Sequence, residues 1–354
     1  MMKMTLKTAL LPAFLAASAL VLLPCAASAQ SEMTPHQKEL YEAAKKESGP
    51  ITWYTAILNQ QLDESVGDAF SKKYPGLKLS PIKTTAQVAF QRLLQDLKAG
   101  KAQADVFTTT DVGHMGYLKS KDELLKYTPE GEKDLVKAIR NVDPDGYYHT
   151  GWVGLAAILY NTSKLKAADV PTDWPGLTDP KWKDQITFGS PNFSGMVGVW
   201  TVAMAERYGW DFFKKLNALN PQIGRSIDDA VTVLNSGERS IGMGNPGTAA
   251  RSADKGNPLA IVFPSSGTLM VISPSAILKD TKHPNTAKLF LEFLTSKEYS
   301  EILAKNFEWP LRADVKPPAG GKSLADMELF APTPEKIAKE LPGNKEKWRD
   351  TFGM

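Results

Sequence analysis

The chain has 354 residues, 42% hydrophobic and 23% charged, which is the composition of a folded globular protein and not of a disordered one. Its 42 basic and 39 acidic side chains leave a formal charge of +3, a near-balance that makes no electrostatic case for nucleic acid. Cys25 is the sole cysteine, so an intrachain disulfide and a cysteine-based zinc site are both excluded. The length suits two domains.

The first thirty residues stand apart. Lys3 and Lys7 precede an apolar run from Ala9 to Leu23, and Ala27-Ser28-Ala29 follows as a small-x-small pattern. This is the pattern of a secretory signal peptide cleaved after Ala29. Its apolar run, about 15 residues, falls short of the roughly 20 that span a bilayer. Pro24 stands where a small residue would precede a lipidated Cys25. No other run reaches membrane-spanning length, so residues 30–354 are expected to form a soluble, exported, monomeric protein without cysteine.

The pattern then alternates strand-like and helix-like segments, which argues α/β. Ile51–Thr55 predicts a strand after the Gly49-Pro50 break, and residues 60–74 a helix with Leu62, Val66, Ala69, Phe70 and Tyr74 at helical spacing. Lys78–Ile82 predicts a strand, Val88–Leu97 a helix, and Ala104–Phe107 a strand running into Thr108-Thr109-Thr110-Asp111. Residues 151–160 form an unusually apolar strand, with a charged helix-like stretch at 163–169. A second set follows: a strand at 185–188, helices at 196–208, 211–219 and 226–234, and strands at 240–244, 259–263 and 268–272, the last ending before Pro274. Residues 284–305 are strongly helical, and the tail beyond Pro310 is helical near 323–340.

Enzyme signatures are lacking. His36, His114, His149 and His283 include no pair at metal-ligand spacing, and there is no G-x-S-x-G elbow. Gly242-Met243-Gly244-Asn245-Pro246-Gly247 fits G-x-G-x-x-G, but no acidic residue lies about twenty positions on and the motif comes late in the chain. No catalytic residue, metal ligand or cofactor is therefore assigned.

In open α/β sheets, ligands bind at the carboxyl ends of strands. Here those ends carry small polar groups: Tyr54-Thr55, Lys83-Thr84-Thr85, Thr108–Asp111 and Gly189–Gly195. Ser190, Ser194 and Gly195 lie directly before a helix, where free amides can hold an anion or Ser194 can simply cap. Arg92, Arg207, Arg225 and Arg251 are candidate counter-charges, and Arg225 is the favoured one because it sits at a strand-to-helix junction. Asp111 caps a helix or binds a cation; Trp152 and Trp200 line a cleft or fill a core. The expected ligand-binding set is Tyr54, Thr55, Thr85, Thr110, Asp111, Ser190, Ser194, Gly195, Arg225 and Asn245.

Ordered pieces of the chain resemble the family-1 solute-binding proteins of bacterial ABC importers, in the branch of ferric-ion, phosphonate and sugar-phosphate binders. They are Ala104–Phe107 with its Thr/Asp loop, Val153–Asn161, Asp179–Lys183, Ser190–Gly195, Ser236-Gly237-Glu238 before Ile241-Gly242, Pro284–Phe290 leading into Phe293–Glu298, and Trp309-Pro310-Leu311-Arg312. The resemblance implies a two-lobe periplasmic-binding-protein fold with a hinge of crossover strands near 150–160 and 265–275. It implies lobe 1 at 30–150 plus 275–320, lobe 2 at 151–274, and a helical tail at 321–354. It also implies a small-molecule solute held between the lobes and an inner-membrane permease as partner.

The sequence departs from the ferric members. They carry adjacent tyrosines after the strand that ends here at Gly244, where this chain has Asn245-Pro246-Gly247. Its Tyr147-Tyr148 pair lies before the first crossover, and Tyr54–Ile57 lacks a histidine. The expectation is a small anionic organic solute (a phosphonate, phosphate ester or carboxylate), with ferric iron, or a sensor role beside a membrane receptor, as alternatives. A secreted hydrolase on a similar fold is the remaining class, opposed by the scattered histidines.

Overall fold

The computed structural model describes Met1 and residues 33–57 and 60–354, and the expected signal peptide falls in the stretch outside them. Thr34–Met354 form one compact unit. No described helix is long and apolar enough to cross a membrane.

The chain opens with helix α1 (Pro35–Ala44), started by a reciprocal capping box between Thr34 and Gln37 and by proline at the first turn. Strand–helix units follow: β1 (Ile51–Thr55), α2 (Gln60–Lys73), β2 (Leu79–Lys83), α3 (Ala86–Lys98), β3 (Val106–Thr108) and α4 (Val112–Ser120), then the short β4 (Leu124–Leu125). The long β5 (Tyr148–Asn161) carries the chain into a second set. That set contains β6 (Ile186–Gly189), α5 (Gly195–Tyr208), α6 (Asp211–Ala218), β7 (Gln222–Gly224), α7 (Asp229–Ser236), β8 (Ile241–Gly244), α8 (Pro246–Asp254) and β9 (Leu259–Val262). The chain returns along β10 (Thr268–Leu278) into α9 (Pro284–Leu294) and α10 (Lys297–Lys305), and ends in β11 (Leu329–Phe330) and α11 (Pro334–Phe352).

The main path of the sheet runs β2-β1-β3-β10-β5-β8-β6-β7, and β4, β9 and β11 pair at its sides. Each end is parallel: β1 pairs β2 and β3, and β6 pairs β7 and β8. Strands β5 and β10 are antiparallel partners through the middle and join the two halves. Every residue of β5 after Tyr148 is buried, which explains its continuous apolar run.

Each half has its own core. In the first, Tyr54, Leu93, Phe107, Met115 and Leu118 pack under α3 and α4. In the second, Trp174, Phe188, Trp200, Phe213 and Trp348 pack around α5. Trp348 comes from α11, so the C-terminal helix is part of this core: its ring meets Phe188, Phe213 and Phe352 at centroid distances of 5.8, 5.6 and 4.3 Å.

Several local expectations change. The 163–169 stretch forms only a short 3-10 turn at Ala167–Asp169; the Asn161 side chain accepts from the Ser163 amide at 2.8 Å and turns the chain at once. Helix α7 starts at Asp229 instead of Ser226, because Ser226 and Asp229 bond each other and hold a turn between them. Strand β10 continues past Pro274, which sits where the register with β5 shifts, a position that needs no ladder donor. The 284–305 helix is two helices, because the Ser296 side chain caps the Tyr299 amide and restarts the chain. The tail helix runs to Phe352 and contains Pro342.

Candidate ligand site at the facing strand ends

The strand registers define a gap. Thr55 pairs Lys83 and Thr108, so β1, β2 and β3 end level with one another. Thr108 pairs Ser275 of β10, and Ser275 pairs His149 of β5. In the other half Gly189 pairs Gly224, and Gly244 pairs Ala157 of β5. Strand β3 runs with β5 and β8 against it, so the two sets of carboxyl ends point at each other. Ala157 lies eight positions beyond His149 along β5, about 26 Å at 3.3 Å per residue.

Side-chain caps organise the helix starts facing this gap. Thr85 accepts the Val88 amide at 3.4 Å to start α3, and Asp111 accepts the Gly113 amide at 2.9 Å to start α4. Ser194 accepts the Val197 amide at 3.4 Å to start α5, and Asn245 accepts the Gly247 amide at 2.9 Å to start α8. Four of the expected ligand residues are thus N-caps, each satisfying one backbone donor. The first-turn amides of Gly195 and Met196 precede the capped donor, and no heavy atom lies within 4 Å of the position a Gly195 Cβ would take. Gly189 and Gly244 serve packing: a Cβ there would meet the Ser226 carbonyl oxygen at 2.5 Å and Leu159 Cδ1 at 2.4 Å.

The remaining expected residues divide. Tyr54 is 1% exposed; its hydroxyl donates to Asp96 Oδ2 at 3.3 Å, and the Arg92 guanidinium lies 5.1 Å from its ring centroid. It faces the core under α3, so this structure does not offer it to a ligand. Thr55 and Ser190 are fully buried. The Ser190 hydroxyl is spent on the Asn192 amide at 3.3 Å. Tyr54 and Thr55 lie on β1 beneath the helices that cover the sheet, and Ser190 is buried in the turn just past β6. Thr110 is half-buried in the β3–α4 loop, whose shape is fixed by Thr109 accepting from the Asp111 amide at 3.1 Å.

Arg225 is exposed at the end of β7. Its guanidinium lies 4.9 Å from the Phe193 ring centroid and forms no ion pair among the described residues. The other arginines are engaged: Arg207 stacks on Phe330, and Arg251 binds the Asn306 carbonyl at 2.9 Å and Glu308 at 3.1 Å. Trp200 is fully buried in the second core and lines no cleft, whereas Trp152 lies on β5 with its ring over Gly154 and beside Met196. The histidines hold structure together: His114 stacks on Phe90 at 3.9 Å, His149 contacts Glu132 at 3.1 Å, and His283 contacts Asp105 at 3.0 Å.

Three features of this region were not singled out from the sequence. Lys83 is exposed at the end of β2 and makes no ion pair among the described residues. Phe193 is 61% exposed on the β6–α5 loop. Asp63, in the first turn of α2, is 1% exposed, and neither of its carboxyl oxygens has a hydrogen-bond partner among the described residues. Burial pushes its pKa up to about 7, against the lowering pull of Lys83 and Thr55. Helical spacing was the available signal, since Asp63 falls on the same stripe as Val66, Phe70 and Tyr74. Among the described residues no group of three or more His, Cys, Asp or Glu could hold a metal ion.

A sequence model of bacterial extracellular solute-binding proteins matches residues 102–339. The Fe(3+)-binding periplasmic protein of Serratia marcescens is 24% identical over 305 residues, covering 82% of this chain and 86% of its own. Iron uptake protein A1 of Synechocystis sp. is 24% identical over 258 residues, covering 68% and 70%. Iron-bound HitA from Pseudomonas aeruginosa superposes with a TM-score of 0.71 at 21% identity, over 85% of this chain and 99% of that one. AfuA from Actinobacillus pleuropneumoniae, with fructose-6-phosphate bound, gives 0.69 at 23% identity, over 87% and 100%. The architecture is the two-lobe periplasmic-binding-protein fold, with β5 and β10 as the crossover strands. Family members are substrate-binding transport proteins and not enzymes. The chain belongs to the bacterial extracellular solute-binding protein family.

Proposed function

We propose that this protein is the periplasmic binding component of an ABC importer and captures a small anionic organic solute between its two lobes. One observation carries the solute class: the facing strand ends carry two cations without ion-pair partners among the described residues, Lys83 on one side and Arg225 on the other. The helix starts beside them supply free backbone donors and positive dipole ends, which favour an anion held from both sides. The acids near the same loops are already engaged, Asp111 with the Gly113 amide and Asp228 with Thr248 at 2.7 Å.

Lobe 1 is taken as residues 30–150 with 275–320, lobe 2 as 151–274, and the tail as 321–354, the crossover registers of β5 and β10 supporting the division. Closure bends these strands and traps the solute, and the closed form hands it to an inner-membrane permease. The signal sequence over residues 1–29 supports export and a periplasmic location. The protein acts as a monomer.

Ferric iron is the second reading, favoured by relatives named for it in Serratia marcescens and Neisseria meningitidis. Against it stands Asn245, where the ferric branch has tyrosines. The test is a calorimetric and thermal-shift screen of protein unfolded and refolded to remove carried-over ligand. The panel holds phosphonates, sugar phosphates, mono- and dicarboxylates and ferric citrate. Saturation a thousandfold above Kd adds about 4 kcal/mol of stability. An anion hit weakened at least tenfold by Arg225→Met supports the reading. A visible tyrosinate-to-iron band with ferric citrate, and no anion hit, replaces it with iron.

A further inference from the structure

Asp63 is buried beneath the strand ends and offers no atom to a ligand, yet it is placed to respond to one. It sits at the start of α2, beside Thr55, the last residue of β1. Both carboxyl oxygens and the Thr55 hydroxyl are buried, and none has a hydrogen-bond partner among the described residues. A buried, unpartnered carboxylate is costly to keep charged, and nearby positive charge offsets that cost. Here that charge is Lys83, which β-pairing sets directly opposite Thr55. Among the described residues the other charged or titratable groups facing Asp63 are Glu64 on its own helix and Tyr299 from α10, and neither is a cation.

We propose that Asp63 is a proton site coupled to solute capture: an anion seated on Lys83 screens that ammonium from Asp63, and the carboxylate takes up a proton as the solute binds. This rests on the anionic reading above. No covalent step is involved; the proton comes from solvent and is released again when the anion leaves. By linkage, solute affinity falls as pH rises through the titration of Asp63, and proton uptake and anion binding strengthen each other equally. With a free-state midpoint of about 7 raised about one unit by binding, uptake near pH 7.5 is about half a proton, and the affinity ratio across the transition is about tenfold.

The test does not require the physiological solute. Lys83→Met removes the ammonium permanently, as the anion does transiently. The titration of Asp63 is followed by the infrared band of its protonated carboxyl, identified by its loss in Asp63→Asn. Lys83→Met is expected to raise the midpoint by about one pH unit, and an unmoved midpoint overturns the proposal. In parallel, inorganic phosphate and fructose 6-phosphate are titrated calorimetrically near pH 7.5 in two buffers of different ionisation enthalpy. Binding with about half a proton taken up, abolished in Asp63→Asn, supports the coupling. Binding to the unaltered protein without proton uptake overturns it. If Lys83→Met moves the midpoint but no anion of the wider screen binds, the solute class falls and the Asp63–Lys83 linkage stands. Should Asp63→Asn not fold, the Lys83→Met titration decides alone, its band assigned by isotope-labelled aspartate.

Discussion

Replacing Asp63 with asparagine should change how stability depends on pH. The carboxyl has an unfolded-state pKa of 3.8, and burial raises it to about 7 in the folded protein. A raised folded-state value means that the native protein holds the proton more tightly than the unfolded chain. Stability is therefore greatest while Asp63 is protonated and declines as pH rises from about 4 through 7. Between pH 5 and 6 the unfolded chain holds almost no proton at this site and the native state nearly one, falling to half at pH 7. The slope there is a loss of about 1.4 kcal/mol per pH unit, and about 2.6 kcal/mol disappears between pH 5 and pH 8. The asparagine keeps the shape and cannot ionise. Urea unfolding of both proteins at pH 5, 6, 7 and 8 isolates the contribution, because every other titrating group is shared. The variant is expected to lose about 2.6 kcal/mol less than the parent over that interval. Parallel curves, within about 0.5 kcal/mol at every pH, would refute the reasoning, since Asp63 would then be charged at no cost.

Two further outcomes follow from packing. Arg251→Met leaves Glu308, which is 9% exposed, without its guanidinium partner. The cost is about 3 kcal/mol at pH 8 and clearly less at pH 5, where Glu308, already held above the usual carboxylate range by burial, takes a proton instead. Equal losses at the two pH values in urea unfolding would contradict the buried-pair account. Trp348→Ala removes a fully buried ring from the second core and should cost about 3–5 kcal/mol. A loss under about 1 kcal/mol in equilibrium unfolding would mean that α11 is a peripheral appendage and not part of the core.

The sequence by itself determined the long strands and helices such as α2, α3 and α5, whereas α1, α4 and α8 carried no expectation. The apolar runs at Ile51–Thr55 and in β5 read as strands because they are rich in β-branched and aromatic residues and suit a sheet covered on both faces. Thr85, Asp111, Ser194 and Asn245 stand out in the sequence as short polar side chains after strands and as candidate ligand residues, with capping an alternative for Asp111 and Ser194; all four prove to be N-caps. Such signals lie within a few residues of each other, and a single chain contains them. The orientation of side chains at the strand ends was decided elsewhere. Tyr54 looked like a ligand residue from its position, but Asp96, Arg92 and the helices over the sheet turned it inward. Pro274 looked like the end of a strand, but pairing with β5 let β10 pass through it at a register shift. Lys83 and Asp63 are twenty positions apart, and only the pairing of β1 with β2 and the packing of α2 bring the ammonium near the buried carboxyl. Charge coupling of this kind depends on distance and burial, which a linear pattern does not carry. Helix starts such as those of α3 and α5 could be read from the chain, whereas the facing of two sets of strand ends across the gap was decided by the register of the two long crossover strands.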